Sequence, residues 1–226
     1  TLLKKLDDVT KPQLANLKTH LYKQILASLR LLKSADSMDL QLNEQFDYAH
    51  ILYKKGLFLQ SLRILDRAKE IARGNQKYYF LPQMIALEKR IENLHITRNI
   101  QHRADALIAE ANDVNGQIDK VTRLSNLALK LFSWFVQHGH ARDEADEKDI
   151  RKFMRQSLPT GAWKETGFYE RMYLYQSHTW YAFIRQDFLQ YYRYTQKQVD
   201  LFDEHPLMKR VETSHHIKSL HYLLNA

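Results

Sequence analysis

The chain has 226 residues, 44% of them apolar, which is enough for a continuous core and excludes a disordered tail. Six glycines and four prolines beside abundant Leu, Lys, Gln, Arg and Ala favour helix over sheet, and the absence of cysteine excludes disulfides and thiolate metal sites. The net charge of +8 raises the question of nucleic acid, but its distribution is mostly diffuse.

Taken in order, Thr10-Lys11-Pro12-Gln13 reads as a capping box. It opens a helix with Leu14, Leu17, Leu21, Ile25, Leu29 and Leu32 on one stripe, ending near Ser34 to Asp36. Ser37 or Asp36 caps a second helix that turns Leu42, Phe46, Ala49 and Tyr53 inward and ends at Gly56. Its partner runs to about Arg73, with Gly74-Asn75 as the left-handed stop. A fourth helix has Pro82 early and Met84, Leu87, Ile91 and Leu94 as its stripe. Thr97 caps a fifth, carrying Ile100, Ala104, Leu107, Ala111 and Val114, and Asn115-Gly116 breaks or bends the chain before a sixth that ends at His138-Gly139.

The seventh runs from acidic residues (Asp143, Glu144, Asp146, Glu147) to basic ones (Arg151, Lys152, Arg155), the order the helix dipole prefers. After the loop from Leu158 to about Thr166 comes an aromatic helix, Gly167 to Arg185, then a ninth after Asp187. Pro206 opens a tenth whose stripe of Leu207, Val211, Ile217, Leu220 and Leu224 runs to the last residue. An apolar face with no helix after it predicts a chain that continues beyond Ala226, and a start at Thr1 predicts a trimmed or processed product.

One stretch carries a resemblance. In Phe46 to Ala72, small residues (Ala49, Ser61, Ala68) stand where two helices touch, with Gly56 in the turn and Phe58, Leu62 and Leu65 as bulk between. This resembles the tetratricopeptide repeat, although Gln45 and Arg73 occupy the places of its tryptophan and proline. A fainter likeness covers Tyr175 to Phe202, with Thr179, Ala182 and Phe188 in pattern. There Tyr191, Thr195 and Gln198 depart from the small-bulky-small series, which predicts looser contact.

The resemblance implies a right-handed solenoid of stacked antiparallel hairpins, about ten helices in one domain spanning 1–226. First helices would start at roughly 38, 76, 117, 167 and 206, an irregular array beside the ~34-residue ideal. HEAT or armadillo solenoids and a compact bundle are the alternatives. In the family the first helices line a concave groove that binds a peptide or a partner helix. That implies Asn43, Phe46, His50 and Tyr53 on one helix, and Tyr173, Gln176, Trp180 and Phe183 on another, as groove residues. His50 and Trp180 stand in comparable phase to the family's Lys, Asn and Arg clamp for an acidic C-terminus, so that ligand is not implied.

The expected function is a protein-interaction scaffold without catalysis or cofactor. Its expected location is the cytoplasm, with no membrane span: no run of ~18 apolar residues occurs. Two alternatives belong to other classes. Glu92-x-x-His95 and Glu212-x-x-His215 are the turns a di-iron carboxylate enzyme uses in a four-helix bundle, although His95 falls at a helix end. Basic residues near the start (Lys4, Lys5, Lys11, Lys18, Lys23, Arg30, Lys33), and aromatics around Arg185 and Arg193, carry a nucleic-acid reading. Eleven histidines occur without a zinc-protease, nucleophile-elbow, phosphate-loop or dinucleotide motif, and read as ordinary surface residues.

Overall fold

The structure, a computed structural model, describes residues 10–33, 37–95, 100–159 and 167–226. Among these the chain is all-α, with ten α-helices and no strand. They are α1 (Lys11–Lys33), α2 (Met38–Lys54), α3 (Phe58–Gly74), α4 (Leu81–His95), α5 (Ile100–His138), α6 (Glu144–Ser157), α7 (Phe168–Ile184), α8 (Phe188–Glu204), α9 (Pro206–Val211) and α10 (Thr213–Leu224). A single 3-10 turn, Tyr78–Phe80, precedes α4.

Side-chain caps open four of the ten helices. The Thr10 amide donates to Gln13 Oε1 at 2.8 Å while Thr10 Oγ1 accepts from the Gln13 amide at 3.5 Å, the reciprocal capping box. Ser37, Asp143 and Asp187 each accept the amide three residues on, at 3.5, 2.8 and 3.1 Å. Three helix ends share one device, a left-handed residue followed by an amide that reaches back five positions. Gly56 has φ +76 and Leu57 N bonds Leu52 O at 3.0 Å. The stop expected at Gly74-Asn75 is instead made by Gln76, with φ 60 and Lys77 N bonded to Ala72 O at 2.7 Å. Gln186 repeats it with φ 55, and Asp187 N bonds Ala182 O at 3.0 Å.

Two expected boundaries are corrected. Asn115-Gly116 does not interrupt the chain, because α5 runs unbroken for 39 residues. One interior glycine costs only about 1 kcal/mol, and buried Leu107 and Val114 before it and Leu124, Leu127 and Leu131 after it anchor both halves. The last helix is divided: Glu212, at φ −120 and ψ 46, separates α9 from α10. The expected count of ten survives because one helix fused and another split. Thr97 and the loop residues 160–166 lie outside the described residues.

The chain divides into two compact units, Thr1–Ile71 and Ala72–Ala226. In the first, Ala49, Ser61, Leu65 and Ala68 are completely buried, and Ser61 Oγ donates to Ala49 O at 2.8 Å. Small residues at this crossing let Ser61 of α3 reach the backbone carbonyl of α2. The α1 stripe forms on one helix, yet Leu17, Leu21, Ile25 and Leu29 all stay exposed.

In the second unit α4 packs on α5, α5 on α7, α7 on α8, and α8 on α10. Leu127 and Leu131 of α5, Ile150 and Met154 of α6, and Ile184 of α7 make one core cluster. Phe168 and Met172 of α7, Leu201 and Phe202 of α8, and Met208 of α9 make another. Glu147 Oε1 accepts from Arg185 Nη2 at 2.8 Å and from Arg151 Nη2 at 2.6 Å, tying α6 to the end of α7. These two guanidinium bonds hold the Glu147 carboxyl below the usual range. No helix among the described residues is long and apolar enough to cross a membrane.

Looser contact was expected between α7 and α8, and the structure corrects it. Tyr191, Thr195 and Gln198 are all buried. Gln198 Nε2 donates to Thr179 Oγ1 at 2.6 Å, and the Ser219 hydroxyl, its proton shared with His215 O at 2.9 Å, lies 3.3 Å from Gln198 Oε1. A long polar side chain replaces a small one without loss of contact because both ends of its amide find partners. This relay joins α7, α8 and α10.

Candidate functional site

The site is built on α7. Nine of its 17 residues are buried, and a helix so covered belongs in the centre of a fold. Hydroxyls on its inner side turn back on their own backbone: Ser177 Oγ bonds Tyr173 O at 2.8 Å and Thr179 Oγ1 bonds Tyr175 O at 2.9 Å. This removes polar cost where α8 must close against it. Tyr173, Gln176 and Trp180, spaced by three and four residues, then share another face.

These three residues line one groove of about 210 Å³. One wall is α5, with Ser125, Ala128, Leu129 and Phe132, and the other is α10, with His215, Lys218 and Tyr222. Trp180 lies between the walls, its ring centroid 5.0 Å from Phe132 and 6.0 Å from Tyr222. Leu129 is 64% exposed and Phe132 43%, so the α5 wall offers apolar area to solvent. Lys218 is exposed, His215 half-buried, and no carboxylate lines the groove. Burial raises the Tyr173 and Tyr222 phenols, which keeps both protonated as hydrogen-bond donors. The arrangement presents apolar area and donors in a positive setting, and no nucleophile paired with a base.

The position of α10 follows from the Gln198 relay and from Glu212. Glu212 Oε1 accepts from the Tyr169 hydroxyl at 2.7 Å, and His215 Nδ1 lies 3.1 Å from Glu212 Oε2. Burial pushes the Glu212 carboxyl up, but the bonds from His215 and Tyr169, with the fields of His215 and Lys77, outweigh it and leave it below the usual range. Glu212 therefore stays ionised and orients His215 on the groove wall.

No protein-family model, curated protein or solved structure matches this chain.

The remaining sequence-predicted residues fall elsewhere. Phe183 lies one turn beyond Trp180, in a ring cluster with Phe135, His140 and Tyr191 at 5.1, 4.7 and 5.3 Å. Asn43, Phe46, His50 and Tyr53 belong to α2, in the other unit. Asn43 is exposed, the Phe46 and His50 rings meet edge to face at 4.9 Å, and Tyr53 lies 5.9 Å from Phe58. Glu212 and His215 bond each other, and the His95 side chain lies outside the described ones. Among the described residues no group of three His, Asp or Glu is arranged to hold a metal. Arg185 is engaged by Glu147 and lies over the Tyr181 ring, 5.1 Å from its centroid, while Lys4 and Lys5 are outside the described residues.

Of the residues expected from the sequence, Tyr173, Gln176 and Trp180 line this groove, and its walls on α5 and α10 were not among them. Leu129 and Phe132 lie off the inward stripe of α5 at a spacing of three, and apolar residues exposed in that way were a readable signal. Lys218 and Tyr222 carried none, because their placement depends on the break at Glu212.

Proposed function

We propose that the protein is an interaction scaffold, without catalysis of its own, whose α5–α7–α10 groove receives an extended segment of a partner protein. The observation that carries the reading is the convergence of Tyr173, Gln176 and Trp180 with an exposed apolar wall, Leu129 and Phe132, in one groove. A ring or branched side chain of the partner would lie against Trp180 and Phe132, and an acidic group beside it would meet Lys218. Apolar anchors supply most affinity at such surfaces, and rim charge supplies selectivity. The succession of packed neighbours α4, α5, α7, α8 and α10 supports a solenoid of the tetratricopeptide kind, in which first helices form the concave side. Freedom from cysteine suits work in a reducing compartment such as the cytoplasm.

The test is a peptide-display selection on the folded protein, followed by anisotropy titration of the recovered peptides. Leu129→Glu, on a side chain that faces solvent, should weaken binding at least about tenfold, and Trp180→Ala about thirtyfold, as truncation of a central anchor does. Lys218→Glu should turn selection away from acidic peptides. Recovered peptides whose affinity ignores both Leu129→Glu and Trp180→Ala would sink the proposal.

A further inference from the structure

A second cavity, of about 250 Å³, lies beside the groove and shares Tyr173 with it. Its walls are mostly apolar: the rings of Tyr78, Tyr79, Tyr169 and Tyr173, with Ile118 and Val121 of α5. Three acceptor-bearing side chains, Gln76, Gln117 and Glu212, arrive from three separate parts of the chain.

Two of these acceptors are unsatisfied. The amide oxygens of Gln76 and Gln117 are buried without a hydrogen-bond partner, although Gln117 Nε2 donates to Asp113 Oδ2 at 3.3 Å. A buried acceptor without a donor costs free energy that folding alone does not explain. Gln76 adds a second cost, since its backbone holds φ 60, a conformation in which glycine is at home and glutamine is not. Glu212, ionised and bonded to Tyr169 and His215, completes the set.

The surrounding charge is mixed: carboxylates act on the Tyr78 phenol, while Lys77 acts on Glu212 and Lys120 on Glu170. Glu170 and Asp113 both act on the Tyr78 phenol, which burial and these carboxylates push up. Arg73, which opposes them, is paired with Glu110. Lys77 is the cation to be weighed against this. Its Nζ bonds the Tyr79 hydroxyl at 3.2 Å and lies 5.7 Å from the Tyr79 ring centroid, so the aromatic wall already accepts an ammonium on one ring.

We infer that this cavity is a binding site for a small organic cation: an ammonium head among Gln76 Oε1, Gln117 Oε1 and the Glu212 carboxylate, and an apolar or aromatic body among the tyrosine rings. Buried acceptors select a donor-rich head, the carboxylate selects positive charge, and ring faces suit both the cation and its body. The volume limits the ligand to roughly ten non-hydrogen atoms, the small end of known ligand sites. The site differs from the groove in occupant and in every wall residue but Tyr173.

The probe is phenethylamine, compared with phenethyl alcohol and 3-phenylpropionate, titrated by ligand-observed NMR and calorimetry against the intact chain. Phenethylamine should bind saturably with a Kd of about 1 mM or below, the alcohol at least about tenfold more weakly, and the anion not at all. Gln117→Leu and Glu212→Gln should each weaken phenethylamine about tenfold or more. Val121→Trp, which fills the cavity from its apolar side, should abolish binding while circular dichroism shows a folded chain. Leu129→Glu, which disables the groove, should leave phenethylamine binding unchanged, so the two sites fail separately. Absence of saturation at about 10 mM, equal affinity for 3-phenylpropionate, or binding that survives Val121→Trp overturns the inference.

Discussion

The Thr179–Gln198–Ser219 relay fixes the helix that forms one wall of the groove, and a double-mutant cycle tests it. Gln198 Nε2 donates to Thr179 Oγ1 at 2.6 Å, while Thr179 spends its own proton on Tyr175 O at 2.9 Å. Thr179→Val keeps the shape but strands a buried amide N–H, at a cost of about 1–3 kcal/mol. Gln198→Leu keeps most of the volume and strands nothing: the Thr179 hydroxyl still bonds Tyr175 O, and the Ser219 hydroxyl still bonds His215 O at 2.9 Å. Its cost should be smaller, about 1 kcal/mol. In the double variant no donor is left without an acceptor, so it should be more stable than Thr179→Val alone by about 1 kcal/mol. Urea unfolding followed by tryptophan fluorescence is the assay, because all three tryptophans lie in Ala72–Ala226 and report that unit. Single-variant losses that add to within about 0.5 kcal/mol would refute the relay. Hydrogen exchange gives a second readout: Thr179→Val should lower protection in α10 more than in α5.

Two further outcomes follow from the backbone and from a buried ring. Gln186 takes φ 55 at the end of α7, where glycine avoids the steric cost, so Gln186→Gly should stabilise the chain by about 0.5–1 kcal/mol in the same urea assay. His178 is held to about 4 by burial first and by the Lys197 charge second, and its ring stacks on Tyr194 at 4.5 Å. The unfolded chain takes up this proton first. Stability due to the neutral ring is therefore complete above pH 6.5, falls as pH drops toward about 4, and levels off below. The full effect is about 3 kcal/mol, and His178→Phe should flatten the acid limb of a stability-against-pH curve.

What the sequence made legible was local. The capping box at Thr10, the cap at Ser37 and the Ala49–Ser61 contact depend on residues a few positions apart or on one hairpin, and all were readable, while the sequence placed Asp143 and Asp187 at helix starts without naming them as caps. Gly116 shows the opposite case. Its intrinsic cost as a helix interior residue is real, yet a buried stripe on both sides outweighs it, and a signal of one residue cannot report the packing of thirty-nine. Gln76 and Gln186 could not be found either. Neither has a preference for left-handed backbone, and each adopts it because the turn between two packed helices requires some residue there. At the candidate site, helical phase found Tyr173, Gln176 and Trp180 because they share one helix, and missed Phe132 and Tyr222 because those come from two others.

Glu212 shows how one residue answers several questions that the sequence left separate. Its Glu-x-x-His spacing admits a metal ligand, but both carboxylate oxygens are occupied by protein partners, Tyr169 on one and His215 on the other. Those bonds require the carboxylate to face α7, and Glu212 itself stands at the break between α9 and α10. The break in turn sets the direction of α10, and so places Lys218 and Tyr222 across from Phe132. The same carboxylate lines the tyrosine cavity on the other side of Tyr173. A residue so placed links the two sites through geometry: displacing Glu212 from Tyr169 would alter the cavity directly and the groove through the angle of α10. Coupling of this kind is reciprocal by thermodynamic necessity. A cation that tightens the Glu212 constellation should therefore be bound more tightly when a peptide occupies the groove, to the same degree that it strengthens the peptide.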